Sequence, residues 1–418
     1  MRTKVAVMAE RDKQTSSQGL EAAPSACGAV PADEEDYLIR VMASLKDMPH
    51  APWNELLAEQ THPTPFLRHE YLLAMELSGS ALPRTGWTPQ VVSLWQGSTL
   101  RAACVLYLKT HSYGEYVFDW AWANAYQQHG LAYYPKAVLA VPFTPVPGTR
   151  LLASSVEWRA RLLEAVLSHC RQLGLSSLHL LFGSQQDMQA CQAMGLMTRH
   201  TLQFHWSNQA YADFDHFLSQ LSQEKRKKIR QERRKVLSEG VTFRSMRGNA
   251  ITQDDWAFFY RCYERTYLEH GNPPYLTPQF FEMQAAHQPE SWLLFIAERR
   301  GSPMASSLIA LQDEGPGKRT AYGRYWGALE RVDCLHFEAC YYQPLQWCIE
   351  QGFDCFEGGA QGEHKMARAL LPVDTPSAHW LAHPAFAEAV QDFLIREGAG
   401  MENYLQDLQS HSPFKTPS

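Results

Sequence analysis

The stretch that decides the fold lies in the second half of the chain and reads WLLFIAERRGSPMASSLIAL, residues 292–311. Two apolar runs of strand length are joined here by a turn that contains glycine, which predicts a β-hairpin. About 200 residues earlier, residues 91–108 read VVSLWQGSTLRAACVLYL, with the same two runs and a turn at Gln96-Gly97. A hairpin that recurs at this offset indicates that the second half of the chain repeats the first.

Two further elements are expected to recur at the same offset. Pro63–Leu67 and Pro273–Leu276 each precede an apolar-periodic stretch, which predicts a helix. A third strand is expected after each hairpin, opening with Tyr113–Tyr116 in the first half and with Tyr322–Tyr325 in the second. A repeat of this size predicts two related domains rather than a solenoid, whose units are about 20–50 residues long.

The chain is therefore expected to divide into three segments. Residues 1–35 are rich in Ser, Gly, Ala, Pro and acidic residues, which predicts a disordered leader. Two domains follow, at residues 36–208 and 209–412. Apolar periodicity predicts a helix at Val156–Leu173 and one long helix at Asp213–Glu239. The second half is predicted to order as β-α-α-β-β-β-α-β-α-β, an α/β fold of the α+β type with mixed, mostly antiparallel sheets.

The composition limits the classes of function. The 418 residues carry a formal net charge of −6, so the overall field does not attract polyanions and any basic site must be local. The sequence contains no run of about 18 apolar residues, so no membrane span is predicted. Nine cysteines form no C-x-x-C pair, which favours a reducing, cytoplasmic compartment. The Cys and His spacings predict no metal site, and the oligomeric state stays open.

The strongest local charge signal is the segment Glu224–Lys235, in which eight of the 12 residues are Lys or Arg. Close to one helical face lie Leu218, Leu221, Ile229 and Val236, so we expect a docked helix with its basic face outward. Such a helix could bind tRNA, a nucleotide or an anionic lipid intermediate. The alternative is a solvated charged surface. The candidate polyanion-binding residues are Lys225, Arg226, Lys227, Lys228, Arg230, Arg233 and Arg234.

A second cluster of ionisable residues, residues 357–368, reads EGGAQGEHKMAR and follows a predicted strand. Its glycines let backbone N–H groups approach a ligand closely. Lys365 is a candidate for stabilising an oxyanion, and His364 for handling the proton of an attacking amine. The alternative is a glycine turn with solvated charges. Glu357 is a further catalytic candidate, and the candidate substrate-binding residues of this segment are Gly358, Gly359 and Arg368.

A third cluster, residues 113–126, reads YGEYVFDWAWANAY. Its alternation predicts a strand with Trp120 and Trp122 on one face and Asp119 on the other. A half-buried carboxylate could receive a proton or hold an ammonium group, so Asp119 is a catalytic candidate; a helix cap or an ion pair is the alternative. In the second repeat Arg324 takes the position of Glu115, which raises the hypothesis of a shared, charged cleft. The candidate substrate-binding residues here are Tyr113, Tyr116, Trp120, Trp122, Tyr325 and Trp326, and the three tryptophans among them are expected to wall the acceptor.

These segments resemble a known family. Residues 107–116, 223–235, 335–342 and 357–365 are similar to the FemAB-like proteins of the GNAT superfamily, described as predicted N-acyltransferases of peptidoglycan biosynthesis or recognition. The resemblance covers about residues 36–400. It implies two tandem GNAT-like domains, in which the middle strands splay apart and the acyl donor meets its acceptor in the gap.

More distantly, the chain resembles the Fem-type aminoacyltransferases, which carry amino acids from aminoacyl-tRNA to the peptide of a cell-wall precursor. Those enzymes place a Phe-Lys pair in the loop after the late strand, where this chain has His364-Lys365. Their basic helix at the start of the second domain matches Lys225–Lys235. The sequence lacks a long helical arm between the first two helices of the second domain, a departure that leaves the use of tRNA open.

A short pattern suggests another donor. Residues 127–132 read QQHGLA and fit the Q-x-x-G-x-A loop with which GNAT enzymes cradle the coenzyme A pyrophosphate. Such loops bind phosphate through backbone N–H groups at a helix N-terminus. Gln127, Gly130 and Ala132 are therefore candidate coenzyme A contacts, with coincidence as the alternative.

Together these features predict transfer of an acyl or aminoacyl group from an activated ester or thioester to an amine. The donor is expected to be aminoacyl-tRNA or acyl-coenzyme A, with no firmly implied resident cofactor. The acceptor is expected to be a small-molecule amine or a cell-wall precursor. Two alternatives stay open: a coenzyme A-dependent N-acetyltransferase, and a non-catalytic module that binds RNA or a cell-wall precursor.

Overall fold

The computed structural model describes residues 36–313, 317–360 and 362–415; the predicted leader at residues 1–35 lies outside them. The strands are β1 (Leu38–Met42), β2 (Trp87–Gln96), β3 (Thr99–Lys109), β4 (Lys136–Leu139), β5 (Leu152–Ala153), β6 (Ser177–Leu180), β7 (Met197–Ser207), β8 (Val241–Arg247), β9 (Trp292–Arg299), β10 (Ser302–Gln312), β11 (Thr320–Ala328), β12 (Cys355–Ala360) and β13 (Leu371–Leu381).

The helices pack on both faces of these strands. They are α1 (His50–Ala58), α2 (His69–Leu77), α3 (Trp120–Gln128), α4 (Val156–Gln172), α5 (Gln185–Ala193), α6 (Phe214–Gln220), α7 (Gln223–Ser238), α8 (Gln253–Glu269), α9 (Pro278–His287), α10 (Leu335–Phe337), α11 (Gln343–Gln351) and α12 (Pro384–Ser410). A π-helical turn, Glu338–Tyr342, joins α10 to α11. Within the described ranges, every helix is too short or too polar to span a bilayer.

The strands form one mixed sheet, in the order β1-β2-β3-β4-β6-β13-β7-β12-β11-β10-β9-β8, with β5 attached to β3. Both predicted hairpins, β2–β3 and β9–β10, are present and antiparallel. Two neighbouring pairs are parallel, β4–β6 in the first half and β11–β12 in the second. The expected mixed, mostly antiparallel sheet is therefore confirmed.

The two halves exchange strands. β13, close to the end of the chain, pairs with β6 and β7 of the first half. β7 pairs in turn with β12 of the second half, with Trp206 opposite Phe356. The sheet is therefore continuous across the predicted boundary between residues 208 and 209.

Helix α4 shows how the sequence sets a helix in place. The Ser155 side chain accepts a hydrogen bond from the Trp158 N–H and begins the helix. Leu162, Leu163 and Val166 are fully buried on one face. The predicted helix at Val156–Leu173 is confirmed.

The single long helix predicted at Asp213–Glu239 is wrong, because the chain breaks at Leu221. Leu221 is extended and fully buried. The Ser222 side chain then accepts a hydrogen bond from the Lys225 N–H and begins a second helix, α7. A good N-capping residue beside a buried apolar one favours this break over a continuous helix.

The third strand predicted for the first half is also wrong. Residues 120–128 form helix α3 instead, and the strand that follows the hairpin is β4. Alanines at positions 121, 123 and 125 favour a helix. Trp122 and Tyr126, four residues apart, form its buried face. The alternation of Trp and Ala therefore reflects one apolar helical face and not a strand.

Candidate functional site

The candidate site lies where the parallel strands β11 and β12 separate. Their pairing ends at Tyr322 and Glu357, although β11 continues to Ala328 and β12 to Ala360. We call the space beyond this last pair the strand gap. It corresponds to the splayed strands expected in a GNAT-like domain.

Lys365 lies in the short helical turn Glu363–Arg368 that follows β12. The residue is only 5% exposed, and its Nζ donates a hydrogen bond to the Gly359 carbonyl at 3.1 Å. Burial lowers the pKa of Lys365 to about 8. A charged but poorly solvated ammonium group at the strand gap suits the stabilisation of developing negative charge.

Gly358 lets the backbone of β12 approach this lysine. A Cβ atom at position 358 would lie 2.3 Å from Leu370 Cδ2 and 3.6 Å from Lys365 Cδ. Gly359 has a φ of +75°, a conformation that favours glycine. The two glycines therefore shape the wall of the strand gap on which Lys365 rests.

The Glu357 side chain is 14% exposed, and its partial burial raises its pKa to about 8 against the opposing effect of Arg324. Its Oε2 is buried without a hydrogen-bond partner and lies 3.8 Å from Nε2 of His205. His205 stands opposite Glu357 on β7, and burial together with Lys365 lowers its pKa to about 4. A cavity of about 640 Å³ opens at Glu357 and Tyr322 and is lined by residues of both halves.

His205, Cys355 and Glu357 bring their ligand-type atoms within 4.8 Å of one another. Ligands around a tetrahedral zinc ion lie closer, about 3.3–3.8 Å apart, because zinc bonds are about 2.0–2.3 Å long. The three side chains would have to draw together to hold an ion, and we assign no metal to them.

His364 and Arg368 differ in accessibility. His364 is exposed, its Nε2 lies 3.4 Å from the Tyr341 hydroxyl, and partial burial with Arg368 lowers its pKa. Arg368 is 2% exposed and pairs with Glu232 of α7 at 2.9 Å. It also donates to the His364 carbonyl at 2.6 Å. Arg368 therefore holds the Lys365 turn in position, and its predicted contact with substrate is not supported.

Asp119 belongs to a separate buried cluster in the first half. Its carboxylate pairs with Nζ of Lys136, which also donates to Glu115 and Ser112 at 2.7 Å each. Burial alone would raise the pKa of Asp119, but Lys136 and His179 lower it overall. Burial raises the pKa of Glu115 to about 7. Asp119 therefore belongs to a buried ion pair, which was the alternative to its predicted catalytic role.

Two histidines extend this cluster to β13. The Nδ1 atoms of His179 on β6 and His379 on β13 lie 2.8 Å apart. Tyr133 donates to Asp119 at 2.6 Å and lies 3.1 Å from His179 Nε2. Burial lowers the pKa of His179 to about 3, so both rings stay neutral at pH 7.

The aromatic candidates divide between surface and core. Tyr113 is 60% exposed and contacts Trp120 edge to face at 5.1 Å. Tyr116 is partly exposed and lies close to Tyr325 and Tyr267. Trp122 is 5% exposed and packs on His379, so it is not available to an acceptor.

On β11, Tyr325 and Trp326 are both partly exposed. Trp326 contacts the ring of His336, whereas Tyr325 packs against Tyr263 of α8. Both residues lie on the part of β11 beyond its last pair with β12, so both border the strand gap.

Helix α7 presents most of its charges to solvent. Ile229, Glu232 and Val236 form its buried face, and Lys227, Lys228, Arg230 and Arg234 are exposed. Lys225 and Arg226 are half-buried. Arg233 pairs with Glu338 at 3.0 Å and contacts Gln346, which anchors the helix.

The predicted coenzyme A loop has the wrong geometry. Gln127 lies in the last turn of α3, and Gly130, with a φ of +70°, ends the helix. The chain then passes Ala132 and enters β4. Unpaired carbonyl groups, and not N–H groups, face outward at a helix C-terminus, so the loop cannot cradle a pyrophosphate as expected.

Comparison of the sequence with known families decides the identity. Residues 44–416 match the FemAB-like family, described as peptidoglycan biosynthesis/recognition. The chain belongs to the FemAB-like family. No curated protein matches it.

Solved structures similar to this FemAB-like chain include FemX, at 10% identity and a TM-score of 0.50, covering 84% of this chain and 100% of FemX. L-PGS from Bacillus licheniformis has 11% identity and a TM-score of 0.47, covering 80% of this chain and 98% of its own. A tandem GNAT protein from the clavulanic acid biosynthesis pathway has 10% identity and a TM-score of 0.44, covering 84% and 99%. At this identity the similarity to FemX shows a shared fold and nothing further.

Two residues of this FemAB-like protein were missed as site residues from sequence. His205 lies in a strand of ordinary alternation, and only its pairing with β12 brings it to Glu357. Arg324 was noted for its charge but not assigned to the site. Its place on β11, two residues beyond the last pair with β12, puts it at the strand gap.

Proposed function

We propose that the protein transfers an acyl or aminoacyl group from an activated ester or thioester to an amine. The observation that carries the proposal is Lys365, a buried lysine whose Nζ hydrogen-bonds the Gly359 carbonyl at the strand gap. The family description, peptidoglycan biosynthesis/recognition, supports a cell-wall precursor as the acceptor class.

In the proposed reaction the amine nitrogen attacks the carbonyl carbon of the donor, and the carbonyl oxygen becomes an oxyanion. Lys365 stabilises that charge, which is worth more in a poorly solvated site than in water. The tetrahedral intermediate then collapses, and the alcohol or thiol of the donor leaves. Gly358 and Gly359 have no side chains that would stand between the carbonyl and the lysine.

The amine must lose a proton, and His364 is the group we propose to take it. Partial burial and its cationic neighbours keep His364 neutral at pH 7, and its exposure lets a substrate reach it. Asp119 is not proposed for this step, because Lys136 and Tyr133 hold its Oδ2 and the lowered pKa of its carboxyl group makes it a poor base. Glu357 is mostly protonated at pH 7, since its pKa is about 8, and so is a poor base there.

The position of α7 supports aminoacyl-tRNA as the donor. The Glu232–Arg368 ion pair ties the buried face of this basic helix to the turn that carries Lys365. A polyanion held on the exposed face would lie one helix diameter, ~10 Å, from that turn. The geometry of residues 127–132 gives coenzyme A no comparable support. We place the reaction in the cytoplasm, where the eight cysteines of the described segments would stay reduced thiols.

The test supplies the full-length protein with two donors in parallel, aminoacyl-tRNA and acetyl-coenzyme A, and with a peptidoglycan precursor that bears a free amine. Mass spectrometry of the acceptor would show the added group. We expect an aminoacylated acceptor. Acetylation alone would favour the coenzyme A alternative, and binding without any product from either donor would favour the non-catalytic one.

A further inference from the structure

Arg324 is a cation whose hydrogen-bonding capacity the protein does not fill. It lies on β11 at the strand gap. Its Nη2 donates to the Phe143 carbonyl at 3.1 Å and to the Tyr325 hydroxyl at 3.2 Å. Its Nε is buried without an acceptor. Across the described part of the chain, no carboxylate lies within ion-pair distance of it.

Phenol groups from both halves surround this guanidinium. Tyr71 and Tyr116 of the first half and Tyr325 of the second couple to it electrostatically, and Tyr267 of α8 does so as well. The guanidinium carbon lies 5.0 Å from the ring centroid of Tyr325. Because Arg324, Tyr116 and Tyr267 are each partly exposed, a ligand can reach this group of side chains, which we call the crevice.

The crevice keeps a net positive charge at neutral pH. The carboxyl group coupled to Arg324 is that of Glu357, whose raised pKa of about 8 leaves it mostly uncharged at pH 7. A largely buried cation with an unpaired donor is costly unless a ligand completes its hydrogen bonds. Guanidinium groups match the oxygens of phosphates and carboxylates in geometry and charge.

We propose that Arg324 and the hydroxyls of Tyr116, Tyr267 and Tyr325 form an anion-binding subsite that takes a phosphate or carboxylate group of the substrate. The assignment of the anion to the substrate rests on the proposed transfer reaction. Arg324 on β11 and Lys365 beside β12 border the same strand gap. An anion fixed at Arg324 would therefore hold the substrate in place while its reacting group meets Lys365. The tyrosine rings would pack against the ring or chain next to the anion.

The test measures anion binding without turnover. Inorganic phosphate and acetate are titrated separately into the full-length protein at physiological salt, followed by calorimetry. Arg324→Met should weaken binding of the preferred anion by on the order of tenfold to a hundredfold, as expected for lost hydrogen bonds to a charged group. Arg161→Met, at a cation of α4 paired with Glu157, is the control and should bind like the wild type.

The preferred probe separates the two ligand classes: tighter phosphate binding indicates a phosphate, and tighter acetate binding a carboxylate. If Arg324→Met does not fold, Tyr116→Phe at the partly exposed rim replaces it and should weaken binding severalfold. Failure of the wild type to bind either anion, or unchanged binding in the folded variants, overturns the subsite. Binding lost only when the charges of α7 are reversed assigns the anion to that helix and also overturns it.

The outcome separates this subsite from the transfer reaction. Arg324-dependent binding without any transfer product refutes the proposed reaction and leaves the anion subsite standing. Transfer that proceeds at the wild-type rate in Arg324→Met, without anion binding, refutes the subsite and leaves the reaction standing.

Discussion

At the scale of single residues, Lys365 is the polar side chain on which the proposed reaction depends most. Its ammonium group is desolvated and fixed on the Gly359 carbonyl. Lys365→Met should lower kcat by on the order of a hundredfold or more, as loss of one oxyanion donor does. KM should change much less, because the interaction strengthens only as charge develops. Steady-state kinetics with the donor found active would measure both.

The matched control is Lys46→Met, at an exposed lysine on a different element. It should leave kcat and KM unchanged. Lys365→Arg should restore only part of the rate, because its planar fork places the charge differently. Turnover close to wild type in Lys365→Met would remove Lys365 from the mechanism.

The pH dependence tests the protonation state of the same lysine. The proposed role needs the charged form, and burial lowers the pKa of Lys365 to about 8. The rate should therefore fall as pH rises through about 8. Lys365→Arg, which stays charged to much higher pH, should lose this descending limb even though its rate is lower overall. A rate that instead rises through pH 8 would mean that the neutral amine acts as a base.

The sequence singled out Lys365 and His364 as candidates because they lie in one contiguous segment of unusual composition. It could not locate their neighbours. His205 reaches Glu357 through strand pairing across about 150 residues, and no local pattern encodes such a pairing. The same holds for Asp119, whose type indicated chemistry while its partner Lys136 made it structural.

At the scale of elements, local signals were sufficient where they agreed. The hairpin β9–β10 and helix α4 appear at their expected places because turn residues, caps and apolar period all favoured one structure. Helix α3 was wrongly predicted as a strand. Trp and Ala alternate there over only a few residues, and a strand period of two is hard to distinguish from a helical period of 3.6 over so short a stretch. The coenzyme A loop at residues 127–132 was wrongly predicted for the same reason, since such a loop was expected to follow a strand.

Helix α7 carries the next prediction. Reversing four exposed cations, Lys227, Lys228, Arg230 and Arg234, to Glu should abolish tRNA binding without unfolding the protein, since none of the four lies on the buried face. Wild-type binding should weaken steeply with salt, because each phosphate contact releases counterions. Filter binding across a salt series would measure both effects.

The control reverses four exposed cations elsewhere and changes the net charge equally. Its positions are Arg40, Lys46, Arg84 and Arg171. This variant should keep most of the tRNA binding. An equal loss in both variants would attribute binding to overall charge, and binding that ignores salt would exclude an electrostatic surface on α7.

At the scale of the whole molecule, the repeat was visible in the sequence but the exchange of strands was not. Strand β13, close to the end of the chain, lies between β6 and β7 and pairs with both. Such a pairing depends on which strand edges meet in the folded protein, and no local sequence pattern encodes it. The halves also share an apolar core. Tyr71 of α2 meets Phe280 of α9 at 5.3 Å, and Phe66 meets Tyr322 at the same distance. The two halves therefore share one sheet and one apolar core.

This unity predicts how the protein unfolds. A fragment of residues 36–208 would leave the edges of β6 and β7 unpaired by β13, and would expose the apolar face that α2 turns toward α9. Unpaired edges and exposed apolar surface favour aggregation over folding. We expect the fragment to lack a cooperative thermal transition, and co-expression with residues 209–418 to restore one. The intact chain should unfold in a single transition in both far- and near-ultraviolet circular dichroism. A fragment that unfolds cooperatively by itself, or an intact chain with two separate transitions, would show that each half holds its own core and that the exchanged strand contributes little.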